Sequence, residues 1–432
     1  MRELPGTADV AIIGGGPGGS TAAALLASMG RRVVLFEKEV FPRFHIGESL
    51  LPFNVVLFQR LGLIDKLEGR FLQKWGAQIM SSAGEVSRYI RFEESLVKGP
   101  PMAYHVLRSE FDTMLLRNAR DKGAEVLEGH AVIEATHSHR HGATVTARGP
   151  DGVTVKCRAR FLVDASGRDA FVASRRKLRD MTPHLRKAAV FAHFENVPRL
   201  TGRQAGDIVL IVLTNGWFWI IPLPDDKASV GLVAEGSALK QSGLQPADLL
   251  DQAMRRCPAA WDRLKDAKRV SQVWSASDYS YECREVAGDG YLLVGDAAAF
   301  IDPIFSTGVW LAMSSGEMAA DTLHKALGGN GTKESLSPAT FARYERKVHH
   351  HVKTYTKIVS RFYQPGFMDI FLRPSTRYGI KEAVISLLAG VADPPPMVAL
   401  RLAWFYAIVR LHQRIGFVPK VPLLGVLEES RT

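Results

Sequence analysis

The first forty residues combine short apolar runs with one stretch of small residues, in the order strand, turn, helix, strand. Val10–Ile13 is a β-branched run typical of a buried parallel strand. A stretch rich in glycine and alanine follows at 14–28 and predicts a tight turn leading into a helix. Arg32–Glu37 predicts the next strand, so the chain opens with a βαβ unit.

The hydrophobic pattern changes twice farther along the chain. The pattern predicts an amphipathic helix over 109–122 and an apolar strand at 161–164. It also predicts a strand followed by a second small-residue helix over 291–323. Between about 178 and 277, period-two alternation predicts strands of a separate antiparallel sheet, at Ala189–Phe194, Ile208–Leu213, Trp217–Pro222 and Ala228–Val233. The residues after 338 are mostly helical in pattern.

These patterns predict an α/β (α+β) fold with a Rossmann-like nucleotide-binding domain, an inserted antiparallel-sheet substrate domain and a helical C-terminal region. The predicted limits are 1–74, 104–177 and 278–330 for the first domain. Residues 75–103 and 178–277 form the second, and residues 331–432 form the C-terminal region.

Three glycines stand where the first strand meets its helix. Gly14, Gly16 and Gly19 have the G-x-G-x-x-G spacing, which makes the turn, lets the backbone approach a pyrophosphate, and packs helix against strand. The helix N-terminus adds free N–H groups for phosphate. Glu37 ends the second strand, where a carboxylate accepts a ribose hydroxyl. A dinucleotide site follows, with NAD and FAD both open at this point.

Composition adds few constraints. The chain has 432 residues, of which 46% are hydrophobic and 23% are charged, as in a folded globular protein. Its three cysteines are widely spaced without a C-x-x-C pair, which favours a reducing compartment. The start of the chain leaves no room for a signal peptide, and no apolar run reaches about 18 residues. We expect a cytoplasmic protein.

The net charge of +11 is concentrated near the C-terminus. No nucleic-acid motif accompanies it, so nucleic acid is not an expected partner. Met397–Val409 is apolar with basic neighbours, and two interpretations stand: a core helix closing the substrate cavity, or a surface for an acyl carrier protein or for peripheral membrane contact. The consecutive histidines His349–His351 point in different directions on a helix, so we expect no metal site.

A second motif distinguishes between the nucleotides. Gly295-Asp296-Ala-Ala, followed by Asp302-Pro303, lies far downstream of the single glycine turn and resembles the second FAD signature of flavoprotein monooxygenases. In that family the aspartate contacts the ribityl chain. The following helix points its N-terminus at the flavin, where its dipole stabilises negative charge on the reduced ring. The resemblance implies FAD.

The box Trp217-Phe-Trp-Ile-Ile-Pro222 narrows the resemblance further, because W-x-W-x-I-P is the motif of flavin-dependent halogenases. The similarity continues through other blocks along residues 8–370: Pro42-Arg43, Gly47–Leu50, Lys74 before Gly76-Ala77, Tyr104, Arg108, Phe111-Asp112, Asp164–Gly167 and Gly295–Gly308. The chain is most similar to the branch acting on phenols, pyrroles or carrier-tethered substrates. Phe305 stands where the tryptophan-acting branch has a glutamate before Ser-Thr-Gly, which argues against free tryptophan.

The resemblance implies a reaction. Reduced FAD and O2 give a flavin hydroperoxide, which a chloride or bromide converts to hypohalous acid, and a separate flavin reductase supplies the reduced cofactor. Lys74 then carries the oxidised halogen to an electron-rich aromatic, either free or tethered to an acyl carrier protein. Trp217 and Trp219 keep that substrate from the flavin. The backbone N–H groups of Thr307 and Gly308 hold the halide.

The predicted FAD-binding residues lie in all these blocks: Gly14, Gly16, Pro17, Gly19, Glu37, Lys38, Arg43, Ser49, Arg108, Asp296, Pro303, Gly308 and Val309. Three other functions share the glycine turn. They are an FAD-dependent aromatic hydroxylase in which Lys74 is incidental, an FAD-dependent reductase of a hydrophobic isoprenoid-like substrate, and a non-enzymatic flavoprotein. Without the other blocks, Lys74 would be an ordinary surface lysine and the two tryptophans ordinary core residues.

Overall fold

The structure, a computed structural model, describes residues 2–331, 333–373 and 377–427. Its α-helices, named in chain order, are α1 (Pro17–Ser28), α2 (Phe53–Leu61), α3 (Ile64–Leu67), α4 (Arg108–Asp121), α5 (Phe171–Arg175), α6 (Gly236–Gln241), α7 (Pro246–Arg256), α8 (Pro258–Leu264), α9 (Gly308–Ala326), α10 (Ala342–Phe362), α11 (Phe367–Phe371), α12 (Ile380–Leu388) and α13 (Pro396–Ile415).

The strands follow the same numbering. They are β1 (Arg2–Ile13), β2 (Val33–Phe36), β3 (Leu72–Lys74), β4 (Gly76–Ser81), β5 (Ser87–Arg91), β6 (Ala103–His105), β7 (Glu125–Leu127), β8 (Ala131–Ser138), β9 (Gly142–Arg148), β10 (Thr154–Asp164), β11 (Arg179–Glu195), β12 (Ile208–Val212), β13 (Gly216–Pro222), β14 (Lys227–Glu235), β15 (Lys268–Arg269), β16 (Trp274–Cys283), β17 (Ala287–Gly288), β18 (Tyr291–Leu293) and β19 (Ala299–Phe300).

The first sheet carries the nucleotide-binding topology. Its strands run in the order β7-β2-β1-β10-β18, all parallel, with β17 added antiparallel to β18 and the hairpin β8–β9 added along β10. Helix α1 packs on strands β1 and β2 of this sheet, and α4 and α9 pack against α1. This arrangement is the doubly wound order in which ligands bind at the carboxyl ends of the strands. The predicted α/β class with a Rossmann-like domain is confirmed.

The second sheet is built around the alternating strands that the sequence predicted. Its order is β19-β16-β11-β14-β13-β12-β4-β5, with neighbours antiparallel apart from β4 and β12, whose pairing is parallel. The expectation of an antiparallel sheet is therefore wrong at that one pair. The reason is topological: β4 arrives from the nucleotide-binding part of the chain, and no local hairpin sets its direction.

The helices after residue 331 pack on both sheets rather than forming a separate body. Residues of α10, α12 and α13 belong to the same buried apolar cluster as the β1 strand. Strand β16 also runs across the predicted limit between residues 277 and 278. The domain limits read from the sequence stay a prediction.

The three cysteines all lie in the interior as free thiols. Burial raises the pKa of Cys157 to about 11 and that of Cys283 to about 12, and it raises the pKa of Cys257 as well. Each thiol is therefore protonated at neutral pH. None of the helices in the described residues is long and apolar enough to cross a membrane.

Candidate functional site

A cavity of about 410 Å³ lies between the carboxyl ends of the first sheet and one face of the second. Most of the predicted site residues line it: Gly14, Gly16, Pro17, Glu37, Lys38, Arg43, Ser49, Arg108, Trp217, Trp219, Asp296, Pro303, Gly308 and Val309. Gly19, Lys74 and Thr307 do not reach its wall. These residues lie far apart in the sequence, so the fold brings them together.

The glycine turn is closed by backbone contacts. Gly14 has φ +101°, and a Cβ there would lie 2.3 Å from the carbonyl oxygen of Ala165. A Cβ on Gly19 would lie 1.9 Å from the carbonyl oxygen of Gly14. Gly19 therefore packs the helix onto the strand behind the turn, whereas Gly16 stays open to the cavity. The turn fits its predicted task, because it leaves the backbone accessible.

Glu37 braces the turn from the side. Its Oε2 accepts a hydrogen bond of 2.7 Å from Gly15 N, and its Oε1 accepts one of 2.9 Å from Glu39 N. The side chain is buried and lines the cavity. Each carboxylate oxygen has further lone pairs, so Glu37 keeps capacity for a ribose hydroxyl.

Two arginines line the cavity, Arg43 from the loop after β2 and Arg108 from α4. Arg108 makes a two-pronged pair with Asp112 at 2.8 Å and donates to the carbonyl oxygen of Ile46 at 2.5 Å. Arg43 Nη2 lies 3.7 Å from the position of a Cβ on Gly16. Arg43 Nη1 is buried, lies 3.4 Å from Asp112 Oδ2 and has no hydrogen-bond partner among the described residues. A positive group with an unsatisfied donor thus stands beside the glycine turn.

The loop before α9 forms the opposite wall. Asp302 caps a short turn, Pro303–Phe305, by accepting a hydrogen bond of 3.1 Å from Ile304 N. Ser306 then adopts a left-handed conformation with φ +57°, and α9 begins at Gly308. Thr307 is buried, and its Oγ1 has no partner among the residues described. Asp296 lines the same wall, and burial raises its pKa to about 6.

The two tryptophans lie on the cavity face of β13. Trp217 and Trp219 are two residues apart, and their ring centroids are 5.6 Å apart. The Trp219 ring lies over Gly231 on β14, where a Cβ would meet it at 2.2 Å. Trp219 Nε1 donates to Ser229 Oγ at 3.1 Å, and Trp217 Nε1 donates to the Tyr363 hydroxyl at 2.9 Å. The N–H group of each indole is therefore held by a hydroxyl oxygen.

Lys74 ends β3 behind the cavity wall, and its side chain is only 2% exposed. Its Nζ donates to Ser49 Oγ at 2.9 Å and to the carbonyl oxygen of Leu50 at 3.1 Å. Burial lowers the pKa of Lys74 to about 7, and the charge of Asp207 opposes that shift. A large share of this amine is neutral near pH 7. Ser49 connects it to the cavity, because Ser49 is itself part of the lining.

Two residues near the site carried no signal in the sequence. Asp207 accepts hydrogen bonds from Trp75 N at 2.5 Å and Gly76 N at 2.7 Å, which fixes the backbone directly after Lys74. Tyr363 follows α10 and donates to Asp302 Oδ2 at 2.7 Å. Both act through contacts between distant segments, so no local motif could have found them.

The residues present fit FAD. The glycine turn has open space at Gly16, where a diphosphate would approach the backbone. The unsatisfied Arg43 donor is of the right charge for that diphosphate. Glu37 would hold the ribose, and Asp296 with the α9 N-terminus would lie at the flavin end.

Among the histidines, His349 pairs with Glu282 at 2.6 Å and His351 with Asp393 at 2.9 Å, so the two rings turn to separate carboxylates.

Comparison with known proteins agrees with this geometry. The sequence model of the tryptophan halogenase family matches residues 9–83 and 67–366. The 1H-pyrrole-2-carbonyl-[peptidyl-carrier protein] chlorinase of Pseudomonas fluorescens is 32% identical over 406 residues, which cover 88% of this chain and 89% of that protein. The corresponding brominase of Pseudoalteromonas luteoviolacea is 33% identical over 335 residues, which cover 75% of this chain and 79% of that protein.

A solved structure extends the similarity to the fold. The flavin-dependent brominase Bmp2 superposes with a TM-score of 0.82 at 28% identity, covering 95% of this chain and all of that one. The resemblance read from the tryptophan box and the Gly295–Gly308 block is therefore confirmed. This chain belongs to the flavin-dependent halogenases, enzymes of the flavin-dependent oxidoreductase type that use FAD, O2 and a halide.

Proposed function

We propose that this enzyme installs chloride or bromide on an electron-rich aromatic, a pyrrole or phenol, with Lys74 delivering the oxidised halogen. The single observation that carries the proposal is the buried Lys74 amine hydrogen-bonded to cavity-lining Ser49. A lysine held out of water with a pKa of about 7 is a nucleophile near neutral pH. Reduced FAD, when bound, supplies the two electrons with which O2 becomes able to oxidise the halide.

The chain's own residues divide the remaining work. The first N–H groups of α9, at Thr307 and Gly308, bind the halide as a helix N-terminus binds anions. Trp217 and Trp219 separate the aromatic acceptor from the cofactor, which prevents direct oxygen transfer. The neutral Lys74 amine takes the halogen of hypohalous acid at Nζ and releases water, and it then passes the halogen to the acceptor, whose displaced ring proton returns to Nζ. Arg43, together with Arg108 and Glu37, holds the cofactor.

The partners follow from the same proposal. The named relatives act on pyrrole carried by a peptidyl carrier protein, and Phe305 occupies the position at which the tryptophan-acting branch has a glutamate. A carrier-tethered pyrrole is therefore the favoured substrate, with a separate flavin reductase as the source of reduced cofactor. Helix α13 supports a protein partner, since Met397, Leu400 and Trp404 are exposed on it and it contains arginines without any acid. Peripheral membrane contact and a cytoplasmic location stay predictions.

The test supplies chemically reduced FAD, O2 and bromide with a reactive phenol. We expect brominated phenol from the wild-type protein and a loss of at least about 100-fold in Lys74→Ala, with FAD affinity unchanged. The matched control is Lys381→Ala, which removes a lysine that is paired with Glu94 and does not line the cavity. Mass spectrometry of the product and titration of FAD fluorescence measure both quantities.

The other functions give different products. Hydroxylated phenol that forms without bromide would show a monooxygenase, and halide-independent reduction of an isoprenoid would show a reductase. Equal bromination by Lys74→Ala and the wild type would remove Lys74 from the mechanism.

A further inference from the structure

Tyr363 lies at the junction of three elements that the halogenase motifs do not connect. It directly follows α10, and its hydroxyl contacts β13 through Trp217 Nε1 at 2.9 Å and the loop before α9 through Asp302 Oδ2 at 2.7 Å. One hydroxyl therefore accepts from an indole and donates to a carboxylate. The C-terminal region reaches the cavity wall through this contact.

On the tryptophan side, the contact fixes a ring that lines the cavity. Trp217 is 3% exposed, and an indole N–H is a donor only. Buried in this way, it requires an acceptor, and the Tyr363 hydroxyl is that acceptor. Without the hydroxyl, the indole would have to rotate toward another acceptor or stay unsatisfied.

On the loop side, the contact supports a buried charge. Asp302 is fully buried, and burial raises its pKa to about 6, while the Tyr363 hydroxyl and the charge of Lys187 act in the opposite sense. The ionised carboxylate caps the turn at Ile304 N. That turn leads through Ser306 to Thr307 and Gly308, the proposed halide site.

Tyr363 is itself held by β11. Lys187 Nζ lies 4.2 Å from the centre of the Tyr363 ring and 3.4 Å from Glu235 Oε1. One turn of helix earlier, Ser360 Oγ and His184 Nε2 are 2.9 Å apart. The end of α10 is therefore anchored on the second sheet, and the hydroxyl has a fixed position.

We propose that Tyr363 is a positioning residue for halogenation: its hydroxyl holds the Trp217 indole and the Asp302 turn in one fixed relation, and so keeps the halide loop in register with the tryptophan wall. This proposal rests on the proposed function, since it assigns the loop to the halide. Its chemistry involves no bond to Tyr363, which neither touches the acceptor nor carries the halogen.

The test uses Tyr363→Phe with Tyr355→Phe as its matched control. Tyr355 lies on α10 two turns earlier, is fully buried where Tyr363 is half-buried, and donates to the carbonyl oxygen of Leu387 at 3.3 Å without lining the cavity. We expect Tyr363→Phe to raise the KM for bromide about tenfold and to increase the peroxide released per brominated product, with FAD affinity within twofold of wild type. Tyr355→Phe keeps wild-type values for all three.

A second readout needs no cofactor. In the FAD-free protein, thermal unfolding of Tyr363→Phe, Trp217→Phe and the double variant forms a mutant cycle. We expect the Tm loss of the double variant to be smaller than the sum of the two single losses, since both changes break the same Trp217–Tyr363 hydrogen bond. Should Tyr363→Phe fail to fold, Trp217→Phe breaks the same bond from the other side and must then raise the bromide KM.

Additive losses in the cycle, or a bromide KM equal to that of Tyr355→Phe, would overturn the proposal. A wild-type protein that brominates nothing would instead overturn the proposed function, while the unfolding cycle still reports on the contact itself.

Discussion

The two walls of the cavity are built in different ways. The cofactor wall, meaning the glycine turn at 14–19, is held by backbone packing, because a Cβ on Gly14 or Gly19 would lie within 2.3 Å of a carbonyl oxygen. The substrate wall, formed by the two tryptophans of β13, is made by side chains, since the Trp219 ring lies over Gly231 and the Trp217 indole depends on the Tyr363 hydroxyl. A backbone contact has no rotamer to change, whereas a side chain can move aside. The glycine turn therefore has no room for a side chain at Gly14 or Gly19, whereas the tryptophan rings can shift to accommodate an added methyl group.

The largest effect should come from breaking the cofactor wall with Gly19→Ala. The new methyl meets the carbonyl oxygen of Gly14 at 1.9 Å, so the turn or α1 must shift. We expect FAD binding to be lost entirely, as measured by flavin fluorescence. Gly425→Ala is the control, because nothing lies within 4 Å of its Cβ. Retention of FAD by Gly19→Ala would refute the rigid-wall interpretation.

A smaller effect should follow from the same change in the substrate wall. Gly231→Ala places a methyl 2.2 Å from the Trp219 ring, which we expect to tilt while the backbone stays in place. FAD affinity should persist while halogenated product falls roughly 10- to 100-fold, because reacting groups are displaced by about 1 Å. Gly236→Ala serves as the control, since its nearest neighbour is at 3.7 Å. Equal loss of FAD in Gly231→Ala would contradict the difference between the walls.

The smallest expected effect is a gradual dependence of the halogenation rate on pH. Because burial lowers the pKa of Lys74 to about 7, raising the pH from 6 to 8 populates the neutral amine, and we expect halogenation to rise about tenfold. Stopped-flow rates at saturating bromide would measure this rise. A rate that falls over this range would show that the ammonium is the working form.

The same shift predicts a change in stability. Between pH 7 and about 10.4 the unfolded chain keeps a proton on Lys74 that the folded chain has lost, so the free energy of unfolding rises with pH. Below pH 7 both states are charged, and the folded state bears the full desolvation penalty. Lys74→Met removes that penalty, so its stability advantage over wild type should shrink as pH rises from 7. A constant difference would contradict the lowered pKa.

The sequence predicted those elements whose structure depends on a single segment of the chain. Helix α4, Arg108–Asp121, lies within one residue of the predicted range 109–122, because an amphipathic pattern is a property of that segment alone. The pairing of β4 with β12 was missed, since parallel direction depends on a connection of over a hundred residues. The depth of Lys74 and the contact of Tyr363 with Asp302 likewise depend on distant segments. The roles of the site residues stay proposals until the variants are measured.

The buried thiols have a consequence for a catalyst that handles an oxidised halogen. Such a species attacks thiolates first, and the protein offers it neither exposure nor charge: Cys157, Cys257 and Cys283 are all interior and protonated. An oxidised halogen that escapes before reaching its acceptor therefore finds no exposed cysteine thiolate on the protein surface. The fold thereby protects its own cysteines from self-inactivation.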